Sequence, residues 1–99
     1  MKYEVIIEPL AELDLREAIS WYNNQQVGLG DKFLNFVDQK LKRIEENPQL
    51  YQKRFNDVRI GVVDRFPYVI HFKVKENKII ILSFYCARKN PQTVSERFK

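Results

Sequence analysis

The sequence predicts an α+β fold in the order β-α-α-β-β-β, with a helical hairpin packed on one face of a small, mostly antiparallel, twisted sheet. Three observations predict it. The chain opens with an alternating segment, then shows two stretches of helical period joined by a very short connection. After Pro48 it alternates or runs apolar in strand-length pieces. Its 99 residues are read as one domain spanning the whole chain. A chain of this size buries roughly 60–70% of its unfolded surface, enough for a core without staples.

Each element has its own signal. In Tyr3-Glu4-Val5-Ile6-Ile7-Glu8 the residues Tyr3, Val5 and Ile7 share a face, as in a strand. Pro9 stops that strand where proline can also begin a helix. From Ala11 the period changes: Ala11, Leu15, Ala18, Ile19 and Tyr22 fall three or four apart, opposite Glu12, Asp14, Arg16 and Glu17. The polar run Asn23 to Gln26 ends this helix, Gly28-Leu29-Gly30 turns, and Asp31 is the expected N-cap of the next. Leu29, Phe33, Phe36 and Val37, Leu41 and Ile44 carry the second stripe as far as Asn47-Pro48. So short a connection makes the helices antiparallel neighbours.

Arg59 to Val63 reads as a strand. Tyr68 to Lys75 alternates, with Ile70, Phe72 and Val74 expected inward and His71, Lys73 and Lys75 outward. Glu76-Asn77 is a two-residue turn with a positive φ expected at Asn77. Lys78 to Tyr85 is apolar on both faces and is expected to be the central strand. Asn90-Pro91 breaks the sheet, and Val94 to Phe98 is expected to form a last helical turn.

Composition narrows the function classes. Charged residues at 30% and hydrophobic ones at 44% are ordinary for a soluble globular protein and argue against disorder, coiled coil or collagen. The lone Cys86 cannot form an intramolecular disulfide and rules out a four-cysteine metal site. No apolar run approaches membrane-helix length, no signal-peptide core follows Met1, and a single reduced thiol suits the cytosol. The net charge of +4 is unevenly spread: residues 1–51 carry six basic against nine acidic residues, and residues 52–99 carry eleven against four. A basic half favours nucleic acid or an acidic protein partner.

Several chemistries fall away. Gly28-x-Gly30 has no third glycine and follows a helix, so it is no dinucleotide loop, and no GxxxxGK[ST] is present. A Ser-His-Asp triad could use only His71, at an outward position where a surface histidine without special role is the plainer reading. The remaining candidate is a basic and aromatic cluster on the sheet: Lys53, Arg54, Arg59, Arg65, Tyr85, Arg88 and Lys89. Guanidinium groups bind phosphate bidentately, and a tyrosine can stack a base or shuttle a proton. The alternative is that these cations only protect sheet edges from aggregation. Cys86, beside Arg88 and Lys89, reads as a nucleophile or, more simply, as an inert small residue.

One combination is specific as a set. Ala11-Glu12-Leu13-Asp14-Leu15 with Ala18 and Trp21-Tyr22 is followed by Leu29-Gly30 with Phe33 and Leu34, then Asn47-Pro48 with Tyr51. Arg65-Phe66-Pro67-Tyr68-Val69-Ile70 leads into a strand, and Ile79 to Leu82 precedes Arg88-Lys89-Asn90-Pro91 with Arg97. In this order the chain resembles the RelE/ParE superfamily of toxins from type II toxin–antitoxin modules, often labelled plasmid stabilisation proteins.

The resemblance implies a toxin without metal or cofactor, neutralised in the cytoplasm by a cognate antitoxin that often lays a helix in a groove. It also implies a homodimer or a toxin–antitoxin hetero-oligomer, and no membrane. RelE-like members cut mRNA on the ribosome, whereas ParE-like members inhibit DNA gyrase without nuclease chemistry. Cys86 stands where many members carry a histidine, and Val94 where many carry a tryptophan, which counts against a histidine-assisted ribonuclease. If the chain is a metal-independent mRNA endoribonuclease, Arg59, Arg65 and Arg88 would bind phosphate and Tyr85 would stand near the reacting centre. Lys53, Arg54 and Lys89 would bind RNA or a partner. The well-formed helical hairpin leans to the ParE-like side. The alternative is a degenerate, non-toxic module of the same fold that only pairs with a protein partner.

Overall fold

Proline has no amide hydrogen, so a chain can pass from strand to helix at Pro9 without orphaning a donor. In the computed structural model, which describes residues 2–88, β1 (Glu4–Ile7) gives way there to α1 (Pro9–Gln25). Then follow α2 (Leu29–Glu46), a 3₁₀ turn at Pro48–Leu50, β2 (Lys53–Phe55), β3 (Val58–Val62), β4 (Tyr68–Lys75) and β5 (Lys78–Cys86). The order is the expected one, with the turn and the three-residue β2 added between α2 and β3. The break at Asn90-Pro91, the helical turn expected at Val94 to Phe98, and Lys89 lie outside the described residues.

The helices form a hairpin because the chain between them can turn and because one side chain is missing. Gly28 takes φ 85°, and α2 starts directly after it, so Gly28 rather than Asp31 occupies the N-cap position. Asp31 falls in the first turn, where its charge meets the positive end of the helix dipole. At Gly30 a Cβ would run into the backbone oxygen of Ile19, so glycine lets α2 close on α1. The Gly30 amide donates to Asn23 Oδ1 at 2.8 Å, fastening the crossing.

The sheet order is β1-β5-β4-β3-β2, with β1 parallel to β5 and every other pair antiparallel. The central strand is therefore β4, not the expected Lys78–Tyr85 segment. β5 is apolar on both faces because it is interior, yet β1 claims the place at its outer side. In the β4–β5 turn the positive φ falls on Glu76 (58°) rather than Asn77, whose carbonyl accepts from the Glu4 amide at 2.8 Å. Phe33, Val37 and Ile44 of α2 meet Ile70, Phe72, Ile79 and Ile81 of the sheet in the core.

His71 departs from its expected surface position. It lies on the sheet face away from the helices, as alternation requires, but is only 1% exposed. Non-local groups cover it: the rings of Phe55 and Tyr85 lie 5.9 and 6.2 Å away. Its Nδ1 is 2.7 Å from Oγ of Ser83, its buried cross-strand partner. That bond offsets the cost of taking two polar groups out of water.

Candidate functional site: a charged aromatic groove at the end of the last strand

Three segments distant in sequence meet beside the far end of β5: the outer side of α1, the turn from Arg65 to Tyr68, and Phe84 to Arg88. Between them runs a groove of about 750 Å³. Asp14 and Glu17 of α1 place carboxylates along it, and Arg65 and Arg88 supply the opposite charge. Its bed is aromatic. Tyr22 packs 5.0 Å from Phe66, 5.1 Å from Phe33 and 6.1 Å from Tyr68 between ring centroids, mostly edge to face. Trp21, T-shaped against Tyr22 at 5.1 Å, is 57% exposed at the rim.

Chemistry in the groove follows from burial. The Tyr68 hydroxyl is pushed up to about 12 by desolvation first, then by negative charge at Cys86 and Tyr22. Burial also raises Tyr22, with the Cys86 charge adding to it and Arg88 opposing it. Near neutral pH both stay protonated and serve as contact surface and hydrogen-bond donors, not as bases. Arg65 takes φ 67°, a left-handed conformation that a branched or long side chain rarely adopts. Its guanidinium lies 5.6 Å from the centroid of the Phe36 ring. Such local strain is typical of positions held for what their side chain does.

Of the residues singled out from sequence, Arg65, Arg88, Tyr85 and Cys86 line this groove. Tyr85 does so from its edge, with its ring close to His71 on the other face. Arg59 is elsewhere: its Nη1 donates to the carbonyls of Gln49 at 3.2 Å and Tyr51 at 2.6 Å, holding the segment that leads into β2. Lys53 and Arg54 sit exposed on β2, at the opposite edge of the sheet. Lys89 lies outside the described residues. The sequence reading did not assign Asp14, Glu17, Trp21, Tyr22, Phe66 or Tyr68 to a site. A signal was present, because Asp14, Glu17 and Trp21 recur at three- and four-residue steps on one face of α1.

Among the described residues no three His, Cys, Asp or Glu side chains gather to hold a metal ion. None of their helices is long and apolar enough to cross a membrane. A helical hairpin on a mixed sheet, with an open groove lined by opposite charges and aromatic rings, gives a small α+β protein with a concave surface of the kind at which ligand sites are sought. The family described as ParE toxin of type II toxin-antitoxin system, parDE, matches residues 5–91, and the chain belongs to it. Among solved structures it is similar to one described as the chromosomal ParDE TA system from P. aeruginosa. The two are 18% identical and superpose with a TM-score of 0.79 over 88% of this chain and 98% of that one, a likeness of fold. No curated protein matches it in sequence.

Proposed function

We propose that this type II toxin acts in the cytoplasm by binding, as a gyrase-directed inhibitor of the ParE-like kind, and that a cognate antitoxin neutralises it by occupying the groove. The carrying observation is what the groove contains. It offers charge and aromatic surface, while its tyrosines Tyr22 and Tyr68 are held protonated. The chain's one histidine is enclosed on the opposite face of the sheet, and Arg59 is committed to two backbone carbonyls. Of the four residues expected to cleave RNA, Arg65, Arg88 and Tyr85 share the groove while Arg59 stands apart from it, and no histidine joins them there, which supports binding over nuclease chemistry.

The test is induced expression of the chain in growing bacteria, with separate labelling of DNA and protein synthesis, and a supercoiling assay on purified gyrase. DNA synthesis is expected to fail first and supercoiling to be inhibited, with messenger RNA intact. Co-expression of its cognate antitoxin is expected to restore growth. Early collapse of protein synthesis with cut messages would replace this reading with ribosome-directed cleavage, and Arg65, Arg88 and Tyr85 would be the residues to substitute. If neither process falters, the chain is a non-toxic binding module.

A further inference from the structure

Arg65 lines the groove, but what holds its side chain lies outside it. The turn from β3 to β4 is gripped by α2 at two points, through residues that do not line the groove. Phe36 presents its ring to the Arg65 guanidinium, which lies over it at 5.6 Å from the centroid. Two turns further along the same helix face, Arg43 Nη1 approaches Asp64 Oδ2 at 3.7 Å. Side chains seven positions apart on α2 thus meet consecutive residues of the turn. On its other side the turn is tied to the end of the last strand, where the Ala87 amide donates to the Pro67 carbonyl at 2.6 Å.

The two grips differ in weight. Both side chains of the Arg43–Asp64 pair are more than half exposed, so water and salt screen it. A guanidinium over a ring face shifts an equilibrium roughly two- to fivefold even at an exposed site. The φ of 67° at Arg65 fixes the direction in which its side chain leaves the turn, and Phe36 then fixes where it ends. The ring attracts the guanidinium through its flat face, while the N–H donors project outward in the guanidinium plane. Among the described residues Arg65 forms no ion pair, so its fork is open to a carboxylate or phosphate. A side chain already held in place has less freedom to lose when it binds. We propose that Phe36 is a positioning residue for the groove: it holds the Arg65 guanidinium in the orientation in which that fork meets an anionic group of the toxin's target.

This inference rests on the reading of the chain as a gyrase-directed toxin, and its test separates the two. In NMR spectra of the free chain, the ring should shield the Arg65 side-chain protons, moving them upfield of those of the exposed Arg54. Phe36→Leu should abolish that displacement and Phe36→Tyr should keep it. On purified gyrase, Phe36→Leu is expected to raise the half-inhibitory concentration at least threefold, and Phe36→Tyr to stay within twofold of the native chain. The same Phe36→Leu change should have no further effect in an Arg65→Asn background, where asparagine tolerates the left-handed backbone. A smaller rise, or an equal one without Arg65, overturns the positioning role, because a merely structural defect acts whether or not Arg65 is present. Phe36→Met replaces Phe36→Leu if the latter does not fold. Arg65 protons without the upfield displacement overturn the grip and leave the gyrase reading standing. A native chain that does not inhibit gyrase overturns that reading and the positioning role together, even if the displacement is seen.

Discussion

Gly30→Ala is expected to loosen the helical hairpin, whose first helix forms one wall of the groove. The added methyl would sit 2.7 Å from Cγ and Nδ2 of Asn23, and closer still to the backbone oxygen of Ile19. Asn23 can rotate away at the cost of its bond to the Gly30 amide, but the Ile19 carbonyl belongs to the helix ladder and cannot. The helices must part by about 1 Å to restore ordinary contact distances. Overpacking of this kind costs about 3 kcal/mol, and alanine's better helix propensity returns about 0.5–1 kcal/mol. The net loss of about 2 kcal/mol should lower the melting temperature by roughly 8–16 °C. Gly28→Ala is the control, since nothing lies within 4 Å of its added Cβ and only its φ of 85° is strained. It should lose about 1 kcal/mol. Thermal and urea denaturation followed by circular dichroism measure both. If Gly30→Ala melts no lower than Gly28→Ala, the close crossing is not what fixes the hairpin.

Three further outcomes follow from the same geometry. Arg59→Met should destabilise the fold by about 1–3 kcal/mol by stranding the carbonyls of Gln49 and Tyr51; wild-type urea stability with lost toxicity would instead make Arg59 a functional group. His71→Leu should cost about 1–3 kcal/mol because Ser83 Oγ loses its partner, and adding Ser83→Ala should recover part of that in a double-mutant cycle. Because the folded Tyr68 hydroxyl titrates at about 12 against an ordinary 10, the folded state holds its proton more tightly. Its contribution to stability is therefore complete below pH 10 and is lost as the pH rises towards 12. Tyr68→Phe should flatten that decline in alkaline denaturation and remove the last phenolate step in the ultraviolet spectrum.

Periodicity carried most of the fold, since the helical stripes and alternating strands bury the residues they marked. What it missed depended on partners far along the chain. β2 is three residues, Lys53-Arg54-Phe55, with too little alternation to register, and pairing with β3 past the turn at Asn56 is what makes it a strand. Alternation placed His71 on the correct face, but only the rings of Phe55 and Tyr85 decide that this part of the face is dry. The site was half legible for the same reason. Arg65 and Arg88 could be noticed as cations, yet nothing local distinguishes them from Lys53 and Arg54, which strand order carries to the other edge. The link between Asp14 and the Phe84 amide spans 70 positions, beyond the reach of any spacing argument.

That separation also sets a timetable for the protein's synthesis. β1 waits for β5, the last strand among the described residues, and the groove takes its walls from residues as early as Asp14 and as late as Arg88. At about 5–20 residues per second the ribosome spends several seconds on a chain whose groove is not yet closed. Pairings this far apart also form slowly once the chain is free. The groove therefore takes shape only after Arg88 has been made, and a chain still being synthesised carries one of its walls long before it carries the other.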